Sequence, residues 1–353
     1  MNIEADKQEI DSIVAEILAE FPAMHGTVMV AKENKILWHQ GFSYPDAPLN
    51  TDKHAQYLIA SLTKQFTAVA LLKALYDRQA HRVLENLQKP LVTWVPFEHQ
   101  VWNGSMPEWA HQVTLHHLLT HTSGIKSFDE PLEFKPSEKY AYANIGYTLL
   151  GVVIQTITSE PLATYFEGVL FSPAGMHNTG LPLLGGPAAL KKYPQFQKLS
   201  LGFERTFIEG NACYSGMEEK LNFDNPSTAG GIISTVHDLA KWNYALYQGI
   251  IIPSFLLEML TTKYIQKEAN PYYDGFEKLW YGYGLDIYEK EGKKLYQHCG
   301  GIAGYQSKIS YNPQTKITIV NLSNVMEETP PIFSFVNRLQ ASLIEYQGKQ
   351  KAA

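Results

Sequence analysis

The chain is poor in cysteine, with only Cys213 and Cys299 among 353 residues. Two cysteines build no disulfide framework, so a small stapled scaffold is excluded and the compartment is left open. No uninterrupted apolar run approaches the ~18 residues that suggest a membrane-spanning helix. Positive charge is also scarce: 29 Lys and Arg against 35 Asp and Glu leave a net charge of −6. With no basic run beyond a few residues, a nucleic-acid surface is not expected. There is no internal repeat, low-complexity tract or obvious linker. The first twenty residues lack the basic start, apolar core and small-residue cleavage site of a secretory signal. As written the chain reads as cytoplasmic, or as periplasmic or secreted if an export signal has been trimmed.

What is present suits a soluble globular protein, with 45% hydrophobic and 18% charged residues. The 21 Tyr, 16 Phe and 6 Trp suit a large core or an aromatic-lined cleft. Ile10, Ile13, Val14, Ile17 and Leu18 repeat at helical spacing. Gly26–Ala31 and Ile36–Gly41 read as a hairpin across Lys32-Glu33-Asn34-Lys35. Lys64 to Tyr76 is a helix free of Gly and Pro. Short helices are expected at His111–His121, Asn144–Thr158 and Thr235–Gln248, separated by Gly, Pro and Asn. Ser200 to Asn225 has no clear period and reads as a long functional loop. Strands follow at Tyr281–Tyr288, Lys294–Cys299, Tyr305–Tyr311 and Lys316–Leu322, then a last helix after Pro331.

Strands at both chain ends with helices between them predict an α+β fold in one catalytic unit over 1–353. A mixed, mainly antiparallel sheet would come from about 1–60 and 276–353, flanked by helices. A mostly helical lobe would be inserted from about 61–275. The hairpin spacing argues against a Rossmann or TIM fold.

Ser61 and Lys64 form a Ser-x-x-Lys at a helix start. Residues i and i+3 share a helix face, so Lys64 can reach Ser61 and take its proton. The positive field of the helix N-terminus should lower the Lys64 pKa and favour an oxyanion. The plainer reading is an N-cap serine with a surface lysine. Tyr142 and Asn144 lie two apart and can face one cleft from an extended segment. Beside Lys64 the Tyr142 phenol should have a lowered pKa and relay protons. Asn144 can bond a substrate amide or Lys64. Here the plainer reading is a packed tyrosine and a capping asparagine. His298 ends a strand, and Gly300 and Gly301 after it allow a substrate close to the strand edge. The Gly301 N–H can join that of Ser61 as an oxyanion hole. Cys299 points away from His298, which argues against a Cys–His dyad and for a buried structural thiol. His117 and His121 have the i, i+4 spacing of helical zinc sites. Leu118 stands where a metalloprotease needs Glu, so capping or packing is preferred.

Taken in order, these motifs resemble the serine β-lactamase and penicillin-binding-protein family, on its class C β-lactamase, DD-peptidase and esterase side. The likeness runs from about residue 55 to 325. It includes Leu118-Leu119-Thr120-His121-Thr122-Ser123-Gly124-Ile125, Asn144-Ile145-Gly146-Tyr147 through Gly151, and Pro173-Ala174-Gly175-Met176. Gly230-Gly231-Ile232-Ile233-Ser234-Thr235 and Asp238-Leu239-Ala240 complete it. The resemblance implies an acylated Ser61, proton handling by Lys64 and Tyr142, and cleft roles for Asn144, His298 and Gly300. It implies an oxyanion hole from the backbone of Ser61 and Gly301, and no metal or organic cofactor.

β-Lactamases of this branch have Lys-Thr-Gly where this chain has His298-Cys299-Gly300. A histidine with an ordinary pKa near 6.5 holds a carboxylate weakly at pH 7 and better at lower pH. The expected partner is therefore a small ester or D-amino-acid peptide, with β-lactam hydrolysis as the alternative. A non-catalytic penicillin-binding receptor is the competing class.

Overall fold

The structure, a computed structural model, describes residues 3–48, 51–182, 196–209, 211–216, 228–269, 275–276 and 278–350. Its centre is an eight-stranded antiparallel sheet. The strands in chain order are β1 (Gly26–Lys32), β2 (Lys35–Phe42), β3 (Tyr57–Leu58), β4 (Phe203–Ile208), β5 (Asn211–Gly216) and β6 (Ile233–Ser234). They continue as β7 (Ile265–Glu268), β8 (Lys278–Tyr281), β9 (Asp286–Lys290), β10 (Lys293–Ile302), β11 (Tyr305–Asn312), β12 (Ile317–Ser323) and β13 (Val325–Met326). The large sheet runs β2-β1-β12-β11-β10-β9-β8-β7, so the two ends of the chain meet at the β1–β12 pair.

Strand alternation divides the core. Val28, Val30, Ile317 and Ile319 point to one face, where they pack with Ile10, Val14 and Ile17 of the helix Ile3–Leu18. Phe333, Phe335, Val336 and Leu339 of the helix Pro331–Gln350 complete that layer. Met29, Ala31, Val320 and Leu322 point to the other face and join the larger core. That core is built around the helix Thr63–Gln79, buried along most of its length. Trp242, in the helix Val236–Tyr247, stacks on Phe66 at 4.1 Å and donates its indole N–H to Gln65 Oε1 at 2.7 Å. A buried indole needs such an acceptor, and finding it on Gln65 ties the helix Thr63–Gln79 to the helix Val236–Tyr247.

The hairpin over 26–41 and the helix Asn144–Thr158 fold as their patterns predict. Four stretches differ. The strand expected over Lys294–Cys299 runs on as β10 to Ile302, so His298 does not end it and Gly300 and Gly301 lie within it. The span expected as one strand over Tyr281–Tyr288 is two, β8 and β9, broken by a turn in which Gly284 has φ of 73°. His111–His121 resolves into a 3-10 turn at Glu108–His111 and a short helix at Leu115–Leu119. Within Ser200–Asn225, β4 and β5 form a hairpin rather than an open loop, and 217–225 lie outside the described residues. Both faces of that hairpin are partly exposed, so no apolar alternation marks it. No described helix is long and apolar enough to cross a membrane.

Candidate active site

The nucleophile candidate is delivered by a strained turn. β3 pairs with β6, and the chain then passes through Ala60, a buried non-glycine residue with φ of 47°. Such a conformation costs free energy and persists only where neighbours enforce it. Ser61 follows in the 3-10 turn Ala60–Leu62 that feeds the helix Thr63–Gln79. From the other side, Ser307 on β11 donates its hydroxyl to the Ile59 carbonyl at 2.7 Å. β10 lies directly against this turn. A Cβ on Gly300 would collide with Ser307 Oγ, the Ile59 carbonyl at 2.7 Å and the Ser61 nitrogen at 3.0 Å. Glycine is thus required for β10 to approach the Ser61 backbone. Gly301, next on the strand, has open space on its Cβ side, with Met326 Cε the nearest atom at 3.9 Å.

Around Ser61 Oγ the predicted side chains converge. Lys64 Nζ is 3.0 Å away and the Tyr142 hydroxyl donates to Oγ at 2.7 Å. Lys64 Nζ also donates to Asn144 Oδ1 at 2.8 Å and to the Ala229 carbonyl at 2.7 Å. A neutral amine has two N–H groups and one lone pair. With both N–H groups directed at Asn144 and Ala229, the lone pair is left for the Ser61 hydroxyl proton.

Lys64 is fully buried, and burial pushes its pKa down to about 7. Desolvation of the charged form is the cause, rather than the helix N-terminus expected from the sequence. The effect serves the same end, since a lysine with an ordinary pKa would hold its proton at neutral pH.

For Tyr142 the expectation is corrected. Its pKa is raised, not lowered: burial of the hydroxyl end outweighs the opposing hydrogen bond to Ser61. The residue is 44% exposed, yet its oxygen is turned into the site against Ser61. A half-neutral lysine in a dry site supplies too little field to hold a phenolate. Tyr142 is therefore a phenol at neutral pH, a donor toward Ser61 Oγ.

His298 is also corrected. It is 4% exposed, and burial lowers its pKa to about 3. Nδ1 lies 2.7 Å from the Cys299 carbonyl, an acceptor only, so Nδ1 carries the proton. Nε2, 3.1 Å from the Tyr281 hydroxyl, then accepts from that phenol. Both nitrogens are engaged and the ring stays neutral, so the expected growth of carboxylate binding at lower pH has no chemical basis here. Besides Lys64, a nearby cation is Lys267 on β7, held by buried Asp286 at 2.7 Å and 5.8 Å from the Tyr140 and Tyr281 ring centres.

Sequence reasoning did not find Ala229, Tyr281, Lys267 or Asp286. Ala229 reaches Lys64 because Thr67 donates to the Thr228 carbonyl at 2.7 Å, while the Thr228 hydroxyl donates to the Tyr147 carbonyl at 2.8 Å. Its backbone carbonyl carries no residue-type signal. The adjoining Gly230-Gly231 run marked the segment without its role. Cys299 is half-buried rather than fully enclosed. His117 caps its helix: Thr114 Oγ1 accepts from the His117 N–H, and His117 Nδ1 accepts from the Thr114 N–H. Among the described residues no group of three or more His, Cys, Asp or Glu is arranged to hold a metal ion.

Residues 11–340 match the profile of the Beta-lactamase family. The chain belongs to that family, and it is a serine hydrolase. The curated relative Protein flp of Staphylococcus aureus is 23% identical over 97% of this chain and 67% of its own length. The octameric penicillin-binding protein homologue from Pyrococcus abyssi superposes with a TM-score of 0.73 at 25% identity, covering 98% of this chain and 77% of that one. The D-amino acid amidase from Ochrobactrum anthropi SV3, in complex with D-phenylalanine, gives 0.74 at 18% identity, covering 96% and 99%.

Proposed function

We propose that this serine hydrolase cleaves small esters or D-amino-acid amides and peptides through an acyl-enzyme on Ser61. The observation that carries the reading is Ser61 Oγ held between Lys64 Nζ at 3.0 Å and the Tyr142 hydroxyl at 2.7 Å. Neutral Lys64 takes the Ser61 proton as Oγ bonds to the substrate carbonyl carbon. The carbonyl oxygen becomes an oxyanion, which the N–H groups of Ser61 and Gly301 stabilise. As the intermediate collapses, the bond to the leaving group breaks. Tyr142 gives its proton to that group and regains one from the Lys64 ammonium. Water then attacks the ester, with the same pair removing its proton, and Ser61 is released. Asn144 orients Lys64 and offers its amide N–H to the substrate.

The substrate preference rests on His298. A neutral ring with both nitrogens engaged gives the third motif no cation for the carboxylate that β-lactams carry. The similarity in fold to a D-amino acid amidase agrees with this preference. The test compares kcat/KM for p-nitrophenyl acetate, a D-phenylalanine amide and nitrocefin, with mass mapping of the trapped adduct. An adduct on Ser61 that turns over, with ester or D-amide preferred, supports the proposal. Efficient nitrocefin hydrolysis above ester turnover overturns the substrate class. An adduct that never turns over makes the protein a receptor.

A further inference from the structure

His121 belongs to none of the proton-transfer steps above, yet it is bonded to the segment that carries Tyr142 at two points. Its carbonyl accepts the Ala141 N–H at 2.8 Å, and its Nδ1 accepts the Ala143 N–H at 3.1 Å. Its ring lies against the Tyr142 ring with centres 4.3 Å apart and planes 34° apart. The residues on either side of Tyr142 and the Tyr142 ring are thus all held by this one residue. From these contacts we infer that His121 is the positioning residue for Tyr142, setting the phenol on Ser61 Oγ.

The features that hold His121 in place are costly ones, which packing alone does not call for. Its φ is 57°, a left-handed conformation outside glycine's usual company. Because Nδ1 accepts from a backbone N–H, the proton of the neutral ring sits on Nε2. That Nε2 is buried and, among the described residues, has no protein hydrogen-bond partner. A left-handed backbone at a buried histidine that two hydrogen bonds tie to the Tyr142 segment marks a place fixed for a purpose other than stability. Burial, with Lys64, His298 and Lys267 as neighbouring cations or titratable groups, keeps the ring neutral, so the acceptor at Nδ1 persists across the working pH range.

The inference rests on the proposed role of Tyr142, and the experiment separates the two. Asn places an amide oxygen near the position of Nδ1 and tolerates the left-handed backbone, whereas Leu removes the acceptor. His121→Asn is expected to keep kcat/KM for p-nitrophenyl acetate within about tenfold, and His121→Leu to lower it about 10²-fold, the scale of a small misplacement of a reacting group. In a Tyr142→Phe background, His121→Leu should change kcat/KM by less than about threefold, because the group it positions is gone. Equal losses in both backgrounds, or equal damage from Asn and Leu, would overturn the inference. If the Leu variant does not fold, His121→Gln replaces it, since Gln carries its amide near Nε2 and leaves Ala143 unpaired. Nitrogen NMR of histidine-labelled wild type reads the tautomer without reference to turnover. A proton on Nδ1 sinks the placement by His121, and wild-type turnover by Tyr142→Phe sinks the role of Tyr142.

Discussion

At the scale of single residues, Lys64 decides the pH behaviour. Its pKa near 7 in the fold means that acylation should rise with pH through about 7 and then level, as the neutral base becomes available. A kcat/KM profile for a neutral ester that is flat from pH 5.5 to 9 would contradict this. Lys64→Ala and Tyr142→Phe should each slow acylation by roughly 10²–10⁴-fold, and the double variant by far less than the product if they act as one unit. Lys64 also has a stability side. Unfolded, it binds a proton that the folded state releases above about pH 7, so folding is disfavoured there at neutral pH. Lys64→Met should abolish turnover and raise Tm. A lower Tm would show that the three polar contacts of Lys64 outweigh its desolvation. For His298 the prediction inverts the one from the sequence: preference for a carboxylated over a neutral ester should not change between pH 5.5 and 8.

At the scale of elements, the site depends on close backbone approaches. Gly284, in the turn between β8 and β9, has φ of 73°, and a Cβ there would lie 2.6 Å from the Lys64 carbonyl oxygen and 2.9 Å from Gln65 Cα. The obstacle is the Lys64–Gln65 backbone rather than a flexible side chain, so it has little room to yield. Gly284→Ala should destabilise by roughly 1–3 kcal/mol and slow acylation by shifting Lys64, whereas Gly292→Ala, with nothing near its Cβ, should carry only the conformational cost. Denaturant unfolding of both variants beside ester kinetics checks this, and equal losses in stability and rate would remove the steric argument. Legibility from sequence follows the same physics. Asn144–Thr158 was readable because one apolar face repeats at helical spacing on a clean stretch. The hairpin of β4 and β5 was not, since strands exposed on both faces need no alternation. The Ser61 motif was visible as residue types, but the left-handed Ala60 that presents it was not, because only the packing of β3, β6 and β11 enforces that conformation. Charge states were misjudged at Tyr142 and His298 because burial, which sequence does not display, outweighs neighbouring charge.

At the scale of the whole molecule, several histidines are held neutral by burial, and their effects add. His298 has its pKa lowered to about 3, His39 and His117 to about 4, and His121 well below its ordinary value, each chiefly by desolvation. In the unfolded chain these rings take up protons below about pH 6.5. The folded protein does not take them up until pH approaches 3–4, so the unfolded state binds more protons in that window. Stability therefore rises with pH between roughly 4 and 6.5 and is lost as pH falls through it. A fully buried ring such as His298 contributes at most about 1.4 kcal/mol per pH unit there, while the partly exposed His39 and His117 contribute less. The surface carboxylates Glu33, Glu85 and Glu289, whose pKa values lysine partners lower, act in the same direction but only below about pH 4.5. The interval from pH 5 to 6.5 thus isolates the histidines. Tm should fall steadily across it in wild type, and His298→Gln, which keeps a polar side chain without a titrating ring, should flatten the slope. A Tm that stays level from pH 7.5 to 5 would mean that these rings take up protons in the folded protein. The neutral His298 behind the proposed substrate preference would then be lost as well.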